Sequence, residues 1–253
     1  MTLSWIRESW RLIASISVFS LLTLKERAVF KRSLSDTNRH FYEAWNMCLP
    51  EITPQTITGI NHPVSIELDR KKVSIGIDEL VPILEMLHLS EATNVLEIGT
   101  SSGGTTWHIA ANIGPTGSVV TVDLPPETRG EKYTTTSLAT ERPTREQLGR
   151  HFRGSTVENK IEQILMDSEQ LKKYSPKEKF DLVFIDASHT YENAKRDTEN
   201  AMRLVKKGGY LIWHDYFVFH PDYGVRKLLH ELASEMKVYR LCDSLCGIAR
   251  HDG

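Results

Sequence analysis

From residue 94 onward, short apolar runs alternate with segments whose apolar residues recur at helical spacing. The runs predict strands at residues 94–98, 118–122, 161–166, 180–185 and 210–213, followed by a strand pair at 238–241 and 246–249. The segments between them predict helices at residues 103–112, 192–205 and 224–236. Strands and helices that alternate at this spacing favour a doubly wound α/β fold. We therefore predict a mostly parallel, seven-stranded, Rossmann-like sheet.

The residues before this alternation show a different pattern. Residues 3–46 predict helices, whereas residues 48–64 contain three prolines and a glycine, which is typical of a linker. We therefore divide the chain into an N-terminal helical extension with its linker, residues 1–60, and a catalytic domain, residues 61–253. Near the start of that domain a helix is expected from Asp78, with an apolar face formed by Leu80, Ile83, Leu84 and Leu87.

The N-terminal extension contains an uncharged, mostly apolar run, Leu12 to Leu24. A membrane-spanning helix needs about 20 such residues, so no integral span is predicted. No small-residue cleavage site follows the run, which argues against a secretory signal. We expect this helix to pack on the catalytic domain or on a sister subunit, which would make the protein a homo-oligomer; docking on a membrane surface is the open alternative.

The overall charge of the chain changes the choice of partner. The formal net charge is −2, from 31 basic and 33 acidic residues, so no strong field would attract a nucleic-acid backbone. A small-molecule acceptor is the expected partner. The three cysteines, Cys48, Cys242 and Cys246, match no common zinc pattern and predict free thiols in a reducing compartment such as the cytoplasm.

The strongest motif is the run from Val95 to Thr105, in which a buried strand passes through small residues into a helix. Small residues let the backbone approach a nucleotide-like ligand, and the free N–H groups of a helix start suit its polar groups. The dehydrogenase pattern G-x-G-x-x-G is broken because Ser101 occupies its second glycine position. The methyltransferase pattern E/D-x-G-x-G-x-G is matched by Glu97, Gly99 and Gly103, again with Ser101 in the middle.

Acidic residues end the next strands. Asp123 follows the second strand, about 20 residues after the glycine loop, where a carboxylate can accept both ribose hydroxyl protons. Asp167 follows the third strand and could accept the amino proton of an adenine; an ordinary surface turn is the alternative.

Two further strands end in a mixture of carboxylates and histidines. Asp186 ends the most apolar strand, with His189 three residues later, and His214-Asp215 ends the next strand. The carboxyl ends of parallel strands are where open α/β sheets bind ligands. Asp186 and Asp215 are spaced to give oxygen ligands to one hard cation, and the alternative is that both only accept hydrogen bonds. His220 and Asp222 lie in the adjoining loop.

With these motifs, residues 75–250 resemble the class I S-adenosylmethionine-dependent methyltransferases. The stretch from Phe180 to Tyr216, with I-D-A-S-H-x-Y and G-G-x-x-x-x-H-D-Y, is similar to the branch of catechol O-methyltransferase, antibiotic-sugar O-methyltransferases and cephalosporin-hydroxylase-like proteins. In that branch the catechol enzymes have an asparagine metal ligand where this chain has Tyr216. The sugar enzymes often have a carboxylate pair where this chain has His214-Asp215.

The resemblance implies a role for each matching position. Residues implied to bind the cofactor S-adenosylmethionine are Glu97, Gly99, Ser101, Gly103, Thr105, Asp123, Asp167, Ser168, Glu169 and Asp186. Glu97 would meet the methionine ammonium, Thr105 the methionine carboxylate, Asp123 the ribose, and Ser168 with Glu169 the adenine. The metal positions are Asp186 and Asp215, with Mg²⁺ as the cation, and the catalytic residues are His189, His214 and Asp186.

The expected reaction is in-line transfer of a methyl group to an oxygen of a small molecule, with His189 or His214 as base. Alternatives left open are a metal-independent N- or O-methyltransferase and a protein that binds S-adenosylmethionine without turnover. A polar insertion, residues 124–144, interrupts the strand–helix pattern and is expected to form a lid over the acceptor.

Overall fold

The computed structural model describes residues 48–128, 143–218 and 223–253. The predicted N-terminal helices at 3–46, most of the predicted lid, and His220 with Asp222 lie outside these ranges. The chain divides into two units, and the second, Leu49–Gly253, contains nearly all of the described residues. This unit begins before residue 61, where the sequence analysis places the start of the catalytic domain.

The described residues form one sheet with helices on both faces. Its strands are β1 Glu51–Ile52, β2 Asn94–Ile98, β3 Ser118–Asp123, β4 Ile161–Leu165, β5 Phe180–Ile185, β6 Val205–Trp213, β7 Val238–Leu241 and β8 Gly247–Arg250. The helices are α1 Pro54–Thr58, α2 Ile77–Leu89, α3 Gly104–Asn112, α4 Tyr191–Leu204 and α5 Val225–Leu232, with 3-10 turns at Glu158–Lys160 and Ser168–Lys173.

The strand order is β1-β7-β8-β6-β5-β2-β3-β4, and β8 runs antiparallel to both of its neighbours while the other pairs are parallel. The predicted fold class, doubly wound and mostly parallel, is confirmed. The sheet has eight described strands rather than seven because Glu51 and Ile52 pair with Arg240 and Leu241 at its edge. A two-residue strand leaves no periodic pattern in the sequence, so only its distant partner reveals it.

Strand β5 shows how the core is built on both faces of the sheet. Phe180, Val183 and Ile185 pack into one apolar cluster, whereas Leu182 and Phe184 pack into the cluster on the opposite face. Both faces are buried, as expected for a central parallel strand. The carboxyl ends of β2, β3, β5 and β6 consequently meet at one edge of the sheet, where the predicted site residues lie. In the described ranges, no helix has both the length and the apolar character needed to cross a membrane.

Candidate active site

The glycine loop is shaped by close packing of the ends of β2 and β5. The amide of Asp186 donates a hydrogen bond to the carbonyl of Ile98 at 2.8 Å. Gly99 has φ +111°, and a Cβ at this position would collide with the carbonyl of Asp186. Only glycine combines this backbone angle with this lack of space. The loop therefore turns where the two central strands touch, and it opens into the N-terminus of α3.

The loop is fixed to the end of β3 by Asp123. Ser101, with φ +48°, donates its N–H to one carboxylate oxygen of Asp123, and Leu124 donates to the other, both at 2.7 Å. The structure therefore places the predicted ribose acceptor beside the glycine loop, with its orientation already set by the backbone.

Glu97 lies beneath the loop rather than on its surface. Its side chain is 1% exposed and accepts hydrogen bonds from Thr121 Oγ1, at 2.5 Å, and from Thr106. Burial raises the pKa of Glu97 to about 8, against the lowering effect of the two threonines; the negative charges of Asp186 and Asp123 raise it further. Glu97 thus ties β2 to β3 and α3, and its contact with the methionine ammonium remains a prediction.

The N-terminus of α3 is covered by the chain that precedes α2. Thr105 is buried, and its hydroxyl lies 3.2 Å from that of Ser74. A Cβ at Gly104 would collide with the carbonyl of Lys72, so this strap lies directly on the helix start. The predicted role of Thr105 toward the methionine carboxylate is not tested by these contacts.

A second segment contacts the glycine loop and was missed by the sequence analysis. Gly149 donates its N–H to Ser101 O at 2.8 Å, and His151 donates to Ser102 O at 3.1 Å. The ring of Phe152 packs where a Cβ of Gly103 would lie. The sequence analysis treated residues 124–144 as the lid, whereas the described residues that clasp the loop follow it in the chain. Main-chain hydrogen bonds of this kind leave no signal in side-chain identity.

The predicted adenine side is a 3-10 turn after β4. The Asp167 carboxylate caps it by accepting the N–H of Glu169 at 2.9 Å, and Asn200 of α4 donates to the carbonyl of Ser168 at 3.0 Å. Asp197, beside Asn200 on α4, is fully buried, and this burial raises its pKa to about 6. The turn is therefore held from below by α4, while the adenine contacts remain a prediction.

The ends of β5 and β6 bring together a carboxylate–histidine cluster, which consists of Glu79, Asp186, His189, His214 and Asp215. His189 Nδ1 lies 2.8 Å from Asp215 Oδ2. His214 Nδ1 lies 3.2 Å from Asp186 Oδ1 and 3.3 Å from Asp215 Oδ2, and its Nε2 lies 2.9 Å from Glu79 Oε2. The sequence analysis predicted four of these five residues, and the structure brings all four together.

The cluster is electrostatically coupled. Burial alone would lower the pKa of His214, but the charge of Asp186 and the contacts with Asp186, Asp215 and Glu79 raise it well above its ordinary value. Burial likewise opposes ionisation of Asp215, yet hydrogen bonds from His189 and His214 hold its pKa far below the usual range. Both histidines consequently stabilise an ionised Asp215 at neutral pH.

Glu79 is the member of the cluster that the sequence analysis missed. It lies in the first turn of α2, four residues before Ile83 and seven before Met86, both fully buried. A carboxylate on the buried face of a helix needs a polar partner. That misplaced charge was the available signal, but its partner, His214, is 135 positions away in the sequence.

His189 and Asp215 also make contacts outside the cluster. The imidazole of His189 stacks on Tyr223 with ring centroids 4.7 Å apart and planes 1° from parallel. Asp215 has φ +58°, and its carbonyl accepts the N–H of Val218 at 3.2 Å. An aspartate in the left-handed region is uncommon and is retained where the surroundings determine it.

Tyr216 is fully buried, and its hydroxyl accepts the N–H of Leu49 at 2.8 Å and lies 3.3 Å from His230 Nε2. Neither partner belongs to the carboxylate–histidine cluster. Through these contacts Tyr216 connects the segment before β1 and helix α5 to the end of β6.

Comparison with known proteins gives a domain family and a fold. A family model described as a methyltransferase domain matches residues 96–216, a segment that spans the glycine loop and the cluster. The O-methyltransferase TomG of Streptomyces achromogenes, involved in tomaymycin synthesis and solved with S-adenosylmethionine, is 17% identical, with 75% of this chain and 93% of TomG covered at a TM-score of 0.57.

Two more solved structures share the fold. Cofactor-bound Rv0187 from MTB is 18% identical, with 89% of this chain and 95% of that chain covered at a TM-score of 0.55. A proposed O-methyltransferase of Klebsiella pneumoniae is 16% identical, with 93% of this chain and all of that chain covered at a TM-score of 0.51. No curated protein matches the chain in sequence.

Proposed function

We propose that the chain is a class I S-adenosylmethionine-dependent methyltransferase that methylates a hydroxyl oxygen of a small molecule, with His189 as the general base; the methyltransferase-domain match over residues 96–216 supports the class. The observation that carries this proposal is the pair formed by His189 Nδ1 and Asp215 Oδ2, 2.8 Å apart. A carboxylate only accepts hydrogen bonds, so Nδ1 carries the proton and Nε2 has a free lone pair. That lone pair can take the proton of an acceptor hydroxyl.

S-adenosylmethionine, when bound, supplies a methyl group on a positively charged sulfur. The described glycine loop fits such a ligand because the close approach at Gly99 and the fixed carboxylate of Asp123 form a cradle for a nucleoside. Asp123 would hold the ribose, and the capped turn at Ser168 would border the adenine. The side chains at the ends of β5 and β6 would then position the acceptor oxygen in line with the carbon–sulfur bond of the cofactor. That bond breaks as the new carbon–oxygen bond forms.

A divalent cation fits the same edge. The ligand atoms of Asp186, His189 and Asp215 that could hold an ion all lie within 4.8 Å of one another. Asp186 and Asp215 would hold the cation, and the cation would lower the pKa of an acceptor hydroxyl bound to it. The proton still leaves to His189 Nε2, so the base is needed with or without the metal.

His214 is a weaker candidate for the base. Its two ring nitrogens face Glu79 on one side and Asp186 with Asp215 on the other, and the ring is almost shielded from solvent. A base needs an open lone pair that the acceptor can reach. We therefore assign His214 to the support of the site, a role that an N-methyltransferase would need equally.

The test is methyl transfer from S-adenosylmethionine to a panel of phenols, catechols and sugars, compared between wild type and His189→Ala. Loss of the base should lower turnover by about 10²–10⁴-fold. The affinity for S-adenosylhomocysteine, measured by calorimetry, should stay unchanged because His189 does not belong to the glycine loop. His251→Ala, at the far end of the sheet, is the control. Undiminished turnover in His189→Ala would refute this mechanism, and methylation of amines alone would refute oxygen transfer.

A further inference from the structure

The orientation of His214 has a consequence for which cation the site prefers. Glu79 Oε2 lies 2.9 Å from His214 Nε2 and also accepts the N–H of Gly76 at 3.3 Å. Because an ionised carboxylate can only accept hydrogen bonds, the proton of a neutral imidazole must lie on Nε2. Nδ1 then presents its lone pair to the interior of the cluster.

That lone pair faces two other acceptors. Nδ1 lies 3.2 Å from Asp186 Oδ1 and 3.3 Å from Asp215 Oδ2, and it is shielded from solvent. Three electron-rich atoms at this spacing repel one another unless a positive charge lies among them. An additional proton on Nδ1 is one source of that charge, and a metal cation that takes the place of this proton is the other.

The spacing suits a shared metal ion. Ligand atoms about 2.0–2.2 Å from a metal ion lie roughly 3–3.5 Å apart when they occupy adjacent positions. The distances of 3.2 and 3.3 Å fall within that range. A carboxylate that accepts the second N–H of a ligating imidazole is also a recurrent arrangement, because it fixes the tautomer and makes the ligand more basic. Glu79 occupies that position.

We propose that His214 is a nitrogen ligand to a divalent cation that Asp186 and Asp215 share, with Glu79 as its positioning residue, and that the site consequently prefers first-row transition metals to Mg²⁺. Imidazole suits Mn²⁺, Fe²⁺, Co²⁺ and Zn²⁺, whereas Mg²⁺ takes oxygen ligands almost alone. This inference deepens the proposed function, on which it rests for the place of the cation beside the acceptor. His189 keeps its hydrogen bond to Asp215 and its free Nε2.

The experiment uses the full-length protein, stripped with EDTA and titrated calorimetrically with Mg²⁺, Mn²⁺, Co²⁺ and Zn²⁺ in turn. We expect one Mn²⁺, Co²⁺ or Zn²⁺ per chain, bound at least tenfold more tightly than Mg²⁺. Pulsed electron paramagnetic resonance of the Mn²⁺ form should show coupling to an imidazole nitrogen. The coupling should vanish in His214→Ala and persist in His189→Ala.

Glu79→Gln gives a test that does not require the ligand itself to be removed. A neutral amide accepts the Nε2 proton less strongly, so Mn²⁺ affinity should fall about 10–100-fold, the usual effect of such a partner. Glu85→Gln makes the same chemical change on the same helix and should leave Mn²⁺ affinity unaltered. Circular dichroism and thermal unfolding would show that each variant is folded.

Equal affinity for Mg²⁺ and Mn²⁺, a nitrogen signal unaltered in His214→Ala, or no binding of any of the four cations would overturn the proposal. The methyl-transfer assay separates this failure from failure of the proposed function. If methyl transfer continues in EDTA and no metal binding is detected, the metal-site proposal alone is refuted. Tight Mn²⁺ binding without oxygen methylation of any acceptor would instead count against the proposed function alone.

Discussion

The two halves of the ligand edge are built by different means. At the ends of β2 and β3 most of the contacts involve the main chain: Gly99 allows β2 and β5 to approach closely, and Asp123 accepts backbone N–H groups. At the ends of β5 and β6 the contacts join ionisable side chains, such as His214 with Asp186. The first half is held in place by backbone contacts of the chain itself. The second half concentrates charge that only a proton, a cation or a substrate can balance.

The two halves therefore suit the two proposed tasks of the site, cofactor binding and proton removal. S-adenosylmethionine is the same molecule for every methyltransferase that uses it, so fixed backbone geometry is sufficient to recognise it. In the proposed mechanism, proton removal from the acceptor depends on ionisable side chains, and these side chains gather at the ends of β5 and β6. Substitutions in the two halves should therefore separate stability and cofactor affinity from turnover.

The largest expected effect concerns Gly99. In Gly99→Ala the new Cβ would collide with the carbonyl of Asp186, and φ +111° is strained for any residue with a Cβ. Backbone strain of about 1–3 kcal/mol adds to overpacking of about 1–3 kcal/mol. We expect a large loss of the free energy of unfolding, measured by denaturant titration. Gly114→Ala is the matched control because a Cβ there meets nothing within 4 Å; similar losses in both variants would contradict this account.

The next largest effect is a pH dependence that belongs to Glu97. Burial raises its pKa in the folded state to about 8, whereas the ordinary value is 4.5. Between these values the folded protein binds more protons than the unfolded chain, so its stability falls as pH rises from about 4.5 to about 8. One such group contributes a slope of up to about 1.4 kcal/mol per pH unit.

Comparison with Glu97→Gln isolates this contribution. The amide oxygen of glutamine can still accept the hydroxyl protons of Thr106 and Thr121, but it cannot ionise. Unfolding free energies measured from pH 4.5 to 8 should therefore decline less steeply in Glu97→Gln than in wild type. Glu162→Gln, which removes an exposed carboxylate of β4, should follow the wild-type curve. If the unfolding free energy declined equally steeply with pH in all three proteins, the pKa of Glu97 would be the same in the folded and unfolded states.

The contrast between the halves also explains what the sequence could predict. The strands were predicted because their apolar runs are continuous, and β2 and β5 have the predicted bounds. Asp186, His189 and Asp215 were predicted to converge because the ends of parallel strands share one edge. Glu79 was missed because its contact depends on how α2 packs against the sheet. The clasp at Gly149 was missed because it uses backbone atoms, which every residue carries.

The smallest expected effect is a difference between two aspartates that lie at opposite ends of the parallel strands. Asp123 and Asp181 each accept two backbone N–H groups, Asp123 from Ser101 and Leu124, and Asp181 from Thr93 and Asn94. Asp123 lies at the carboxyl end of β3, whereas Asp181 lies near the start of β5, where Lys206 also contacts it. The two residues are therefore alike in local structure and differ in their access to the ligand edge.

Both substitutions, Asp123→Ala and Asp181→Ala, should lower stability, because each leaves N–H groups without an acceptor. Only Asp123→Ala should weaken S-adenosylhomocysteine binding, since hydrogen bonds to a charged group contribute about 1.5–3 kcal/mol, roughly 10–100-fold in affinity. Calorimetry on both variants, at a temperature where both are folded, measures the difference. Equal affinities in the two variants would mean that the end of β3 does not hold the ribose. The proposed cofactor site would then depend on the glycine loop alone.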